Sequence, residues 1–163
     1  MAGMTLAEQV LQAARARGVM LATAESCTGG LVCAALTEIP GASDVIDRGF
    51  VTYSYAAKTE LLGVPEAMLR AHGAVSAPVA RAMAEGALAR SRARVAVAVT
   101  GVAGPGASEA KPEGLVHFAA ASARGTLHLR REFGPLGRAR VRAASVDQAL
   151  RLILQALEEL RGP

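Results

Sequence analysis

Glu25-Ser26-Cys27-Thr28-Gly29-Gly30 follows a short apolar run and precedes a stretch of helical pattern. A hydroxyl on such a turn stands at the end of a strand, where the N–H groups opening the next helix carry partial positive charge. That arrangement suits a nucleophile beside an oxyanion hole. On local pattern alone an ordinary helix cap is the favoured reading, since Ser and Thr are common choices there. Cys27 is a second candidate nucleophile, since a helix N-terminus favours the thiolate, although no histidine lies nearby in sequence. The turn is not the nucleophile elbow of α/β-hydrolases, because Ala24 and Thr28 stand where that motif needs glycine.

A second loop, Thr100-Gly101-Val102-Ala103-Gly104-Pro105-Gly106, follows an almost continuously apolar run. Its glycines let the backbone approach a ligand, and successive N–H groups can form an anion nest. It matches neither a Walker A loop nor GxGxxG. Ser108-Glu109-Ala110-Lys111 has SxxK spacing, but it sits among Gly and Pro rather than on a helix and carries no nucleophile assignment. Arg138, Arg140 and Arg142 form a cluster suited either to a phosphate or to a solvated helix face.

The cations raise a sharper question. Of 18 basic residues only Lys58 and Lys111 are lysines; the rest are arginine. Arginine keeps its proton in a protein, whereas a desolvated lysine can release one. The 163 residues are 52% hydrophobic with 3% aromatics and no Trp, so a core of Ala, Val and Leu is affordable and long-range disorder is excluded. Cys27 and Cys33 make neither a CxxC nor a zinc pattern, and His72, His117 and His128 are scattered, so no metal site is expected. No apolar run reaches bilayer length and the N-terminus does not read as a signal peptide, which points to a reducing cytoplasm and no membrane partner. A net charge of +4 suits a small anionic ligand; with so few aromatics for stacking, nucleic acid is a poor fit. An apolar surface on so small a domain favours a homo-oligomer.

The elements must hold these loops. Residues 5–17 read as a helix with a Thr5/Glu8 capping box and a Gly18 stop. Residues 19–24 read as a buried strand, followed by a helix opening near Thr28. Residues 45–54 read as a strand bulged at Gly49, and 56–62 and 65–72 as short helices. A helix capped by Ser76 runs through Ala89. Residues 94–100 read as a central strand, 115–122 and 126–133 as a hairpin, and 139–161 as a long amphipathic helix. This is an α/β chain: a single layered α/β/α domain over residues 1–163 with a mixed central sheet.

Several segments together resemble the CinA C-terminal domain family, which includes the nicotinamide-nucleotide amidases of PncC type. They are Ala22–Gly30, Tyr53-Ser54 with Lys58, Leu61–Val64, His72–Ser76, and Val99–Gly106 with Lys111-Pro112. The resemblance covers nearly the whole chain. It implies hydrolysis of the carboxamide of nicotinamide mononucleotide to nicotinate mononucleotide and ammonia, with neither metal nor cofactor. It further implies Ser26 as nucleophile, Lys58 as base and Tyr53 beside them. Cys27 and Thr28 would hold the oxyanion. Thr100, Gly101, Gly104 and Gly106 would contact the nucleotide, with Ser43 a further pocket residue. Arg138, with Arg142 as neighbour and Arg140 as substitute, would contact phosphate. Two departures stand out: Leu136-Gly137-Arg138 lacks the family's Asp before Arg, and Ala107-Ser108-Glu109 replaces further glycines. Two other functions compete: a non-catalytic nucleotide-binding module, and a competence- or DNA-damage-associated protein.

Overall fold

The computed structural model describes residues 3–160. Helix α1 (Leu6–Arg17) starts where Thr5 Oγ1 accepts from Glu8 N at 3.2 Å and stops at Gly18, which adopts φ 65°. Its buried stripe is Val10, Leu11 and Ala14. Next come β1 (Leu21–Glu25), α2 (Leu31–Thr37), a 3-10 turn (Ala42–Asp44), β2 (Ile46–Val51), α3 (Tyr55–Leu62), α4 (Glu66–His72) and α5 (Ala77–Ala89). The chain continues through β3 (Val95–Gly101), β4 (Leu115–Ser122), β5 (Gly125–Glu132) and α6 (Arg138–Glu159). The five strands lie in the order β2-β1-β3-β4-β5. β1 is parallel to β2 and β3; β3–β4 and β4–β5 are antiparallel, so the sheet is mixed as expected and β3 is its centre.

Alternation divides the core. Val95, Val97, Val99, Val116 and Phe118 face the layer of α1, α2 and α6. Ala22, Ala24, Ala96, Ala98, Ala119 and Ala121 face α5, whose own contact residues include Ala80, Ala84 and Ala87. Small side chains on both sides let α5 lie close to the sheet. Gly86 continues the theme: a Cβ there would overlap the Leu62 carbonyl, so α3 packs directly against α5. These close approaches draw the buried face of α3 in toward the end of β1.

Two expectations need correction, and a third falls partly outside the described residues. The second helix begins at Leu31, not near Thr28, because Gly29 and Gly30 adopt φ 58° and 106° and cannot continue it. The irregularity against β2 falls at Asp47, between the pairs Leu21–Ile46 and Ala22–Arg48. Gly49 instead permits close packing, since a Cβ there would lie 2.7 Å from Thr23 Oγ1. The last helix ends at Glu159, and the expected end at 161 lies outside the described residues, as do the domain limits 1 and 163. Among the described residues no helix is long and apolar enough to cross a membrane.

Candidate active site

The parallel strands β1 and β3 end side by side, with Glu25 opposite Val99, and Ser26 N extends their pairing by donating to Val99 O at 3.0 Å. Successive side chains then go to opposite faces. Glu25, 1% exposed, turns under α2. Its Oε1 accepts from Thr28 Oγ1 (2.7 Å), Gly30 N (3.2 Å) and Val32 N (2.8 Å), and its Oε2 from Cys33 N (3.0 Å). The N–H groups opening α2 are therefore occupied by the protein's own carboxylate. The expectation that they face the nucleophile is overturned, and with it any direct role for the Thr28 side chain, which is fully buried on Glu25.

Ser26 goes to the other face and meets Lys58. Ser54 Oγ accepts from Ala57 N at 3.0 Å and starts α3, which places Lys58 one turn in and facing the core. Lys58 has no exposed surface. Its Nζ donates to Ser26 Oγ at 2.9 Å, Thr52 O at 2.7 Å and Tyr53 O at 3.3 Å. All three partners are neutral. Burial pulls the amine down from 10.5 to about 8; no carboxylate touches it, and the more distant Glu109 charge offsets only part of the lost hydration. A neutral amine has two N–H bonds for the two carbonyls and one lone pair, which then faces the Ser26 hydroxyl.

Burial acts oppositely on Cys27. Together with the nearby Glu25 charge it pushes the thiol up to about 11, so at neutral pH Cys27 is a protonated wall rather than a thiolate.

Ser26, Cys27 and Lys58 line a cavity of about 280 Å³ shared with Tyr53, Thr100, Gly101, Gly104, Gly106 and Arg138. Several of these residues are already engaged. Thr100 Oγ1 donates to Ala74 O at 2.9 Å. Arg138 donates to Gly104 O and to Tyr53 Oη, each at 2.8 Å, and so bridges the mouth. Gly106 N donates to Glu113 Oε1 at 2.7 Å, which removes it from any anion nest. Tyr53 serves the lysine through its carbonyl, not its phenol, which is largely exposed.

The structure does not bring every expected residue to the cavity. Ser43 is exposed on the 3-10 turn at the opposite end of the parallel strands. Arg140 is exposed on α6. Arg142 points behind the Ser26 turn, donating to Cys27 O at 3.1 Å and Thr28 O at 3.3 Å rather than lining the cavity. His117 and His128 pair at 2.9 Å across β4 and β5, and neither lines the cavity.

One residue emerges only from the fold. Glu109 lines the cavity, accepts from the Tyr55 hydroxyl, and also accepts from Ala74 N at 3.0 Å and Val75 N at 3.1 Å. Burial works to raise this carboxyl, but the hydrogen bonds from Tyr55, Val75 and Ala74 prevail and hold it below its ordinary value. Lys111 lies 3.4 Å from Glu109 and donates to His72 O (2.7 Å) and Val75 O (2.6 Å). The sole sequence hint was an unusual loop composition at Ala107–Glu109.

Known proteins share this arrangement of chain. A family model described as the CinA C-terminal domain matches residues 3–157. The nicotinamide-nucleotide amidohydrolase PncC of Escherichia coli K12 is 51% identical over 153 residues, 93% of each chain. A competence-damage inducible protein of Symbiobacterium thermophilum is 60% identical over 118 residues; these are 72% of this chain but only 28% of that longer protein. The crystal structure of the competence/damage inducible protein CihA from Agrobacterium tumefaciens superposes with a TM-score of 0.90 at 49% identity, covering 97% of this chain and 99% of that one.

Proposed function

Because the chain belongs to the CinA C-terminal domain family, we propose that it hydrolyses the carboxamide of nicotinamide mononucleotide, releasing nicotinate mononucleotide and ammonia. The observation that carries this reading is the 2.9 Å contact between Ser26 Oγ and Lys58 Nζ in the cavity wall, with no carboxylate bound to the amine. A nucleophile and a base that sheds its proton near neutral pH, within hydrogen-bond reach of each other, are what acyl transfer without metal needs.

In this mechanism neutral Lys58 takes the Ser26 proton as Oγ attacks the carboxamide carbon. The resulting oxyanion is held by the N–H groups of Cys27 and Thr28. The Lys58 ammonium then protonates the amide nitrogen, the C–N bond breaks and ammonia leaves. A water molecule, deprotonated by Lys58, attacks the ester on Ser26. Nicotinate mononucleotide departs and Ser26 recovers its proton. Arg138, at the cavity mouth, meets the 5′-phosphate by exchanging its bond to Tyr53 or to Gly104.

One domain acting in a reducing cytoplasm completes the reading, consistent with the free Cys27 and Cys33. Self-association is part of it too, supported by exposed Val51 on the open edge strand β2 and exposed Leu31 at the start of α2, and light scattering measures it. The test of function is a steady-state ammonia assay on nicotinamide mononucleotide with product identification by mass spectrometry. Turnover that vanishes in Ser26→Ala supports the reading. Binding without turnover by the wild type sinks it in favour of a nucleotide-binding module.

A further inference from the structure

Two backbone N–H groups in the Ser26 turn stand apart from the rest of that turn. Cys27 and Thr28 are 5% and 0% exposed, and among the described residues neither N–H is paired with an acceptor on another residue; the Cys27 N–H lies against its own thiol sulfur. Buried N–H groups are rarely left unpaired, because an orphan costs much of a lost hydrogen bond. Their carbonyl counterparts are held on the other side. Gly29 N donates to Ser26 O at 3.0 Å, and Arg142 Nε donates to Cys27 O at 3.1 Å. In a planar trans peptide the N–H points opposite to the carbonyl of the preceding residue. Fixing Ser26 O therefore aims Cys27 N–H, and fixing Cys27 O toward Arg142 aims Thr28 N–H away from it.

We infer that Arg142 is a positioning residue that assembles and polarises the oxyanion-binding pair at Cys27 and Thr28, and is not a ligand for the substrate phosphate. The inference rests on the acyl-transfer reading above. The guanidinium is packed over the turn: a Cβ at Gly29 would come within 3.2 Å of Arg142 Nη2, and Nη2 also reaches Thr28 O at 3.3 Å. A cation on a carbonyl strengthens the N–H of the same peptide as a donor, since hydrogen bonds in series polarise one another. One helical turn earlier on α6, Arg138 faces the cavity mouth. The helix thus carries one arginine in front of the nucleophile and one behind it.

The experiment compares wild type, Arg142→Lys and Arg142→Met in steady-state turnover of nicotinamide mononucleotide. A second measurement is affinity for pyridine-3-boronic acid. Ser26 Oγ adds to its boron, the serine proton passes to Lys58, and the tetrahedral adduct carries oxygen where the oxyanion forms. The expected result is a fall in kcat of roughly 100-fold for Arg142→Met with KM nearly unchanged, the size of a lost oxyanion donor. Boronate affinity falls in parallel, and Arg142→Lys is intermediate. If Arg142→Met fails to fold, Arg142→Lys gives the same reading on its own. A rise in KM with kcat preserved, or unchanged boronate affinity, overturns the inference. A wild type that binds boronate but releases no ammonia overturns the proposed reaction instead, and the boronate comparison still decides the role of Arg142.

Discussion

The chain's two lysines differ in place: Lys58 lines the cavity, while Lys111 does not line it but holds Val75 and Glu109, which do. Both Nζ atoms donate to two backbone carbonyls: Thr52 O and Tyr53 O for Lys58, His72 O and Val75 O for Lys111. The third neighbour separates them. Lys58 meets the Ser26 hydroxyl, while Lys111 meets the Glu109 carboxylate. Burial with no carboxylate in direct contact destabilises the Lys58 ammonium, whereas Lys111 ties Glu109 to two carbonyls as a clamp. Identical side chains with near-identical backbone partners thus acquire different chemistry from one neighbour and from depth.

The comparison is broken most severely by exchanging each lysine for arginine. Lys58→Arg lowers kcat by roughly 10³-fold or more, since arginine cannot accept the serine proton. Lys111→Arg leaves kcat within a few-fold, because a guanidinium can serve the same carbonyls and carboxylate. Ammonia release measures both, and equal losses would mean that the two lysines do the same work.

A second effect sharpens the contrast through pH. In the proposed reaction the reactive form of Lys58 is the neutral amine, so kcat/KM is expected to rise with pH and level off above about 8. A profile flat from pH 6 to pH 10 would count against Lys58 as base. Stability follows the same group. Between about 8 and 10.5 the unfolded chain keeps a proton that the folded chain has lost. The unfolding free energy of the wild type relative to Lys58→Met therefore rises with pH across that window, by up to about 3 kcal/mol. Denaturant titrations at stepped pH read this out.

Weakening the clamp has a smaller effect. Glu109→Gln keeps the shape but loses charge-assisted bonds to Ala74 N and Val75 N, which lowers stability by about 1–3 kcal/mol and raises KM. Thermal melts and substrate titrations check it. Smallest is Cys27→Ala. A thiol held near 11 is not the nucleophile, so kcat falls less than about tenfold. Abolished turnover there would transfer the nucleophile from Ser26 to Cys27.

Much of this was legible in the residues. The Thr5 cap, the Gly18 stop, the Ser76 cap and the apolar run of β3 act over a few residues, and local rules describe them well. The Ser26 turn and the Gly101–Gly106 loop were also visible, because strand ends and glycines mark them. The false expectations arose where a distant group took over. The α2 N-terminus, free by local pattern, is occupied by Glu25 folded beneath it. Arg142, a phosphate ligand by position on its helix, spends its guanidinium on carbonyls 115 and 114 positions earlier in the chain. Glu109 gave no signal beyond its unusual loop composition, since its partners at Ala74 and Val75 are 35 and 34 residues away.

By itself the sequence determined which chemistries were available: a serine on a strand-to-helix turn, a lysine among arginines, and a glycine loop beyond a central strand. Tertiary structure decided which of them are joined. Ser26 and Lys58 meet across 32 residues only because Ala-on-Ala packing and Gly86 bring α5 against the sheet and α3 against α5. The Lys58 amine is pulled down because that packing also excludes water. Residue type sets what a side chain can do; dehydration and its nearest charge set its protonation, and both depend on contacts far along the chain.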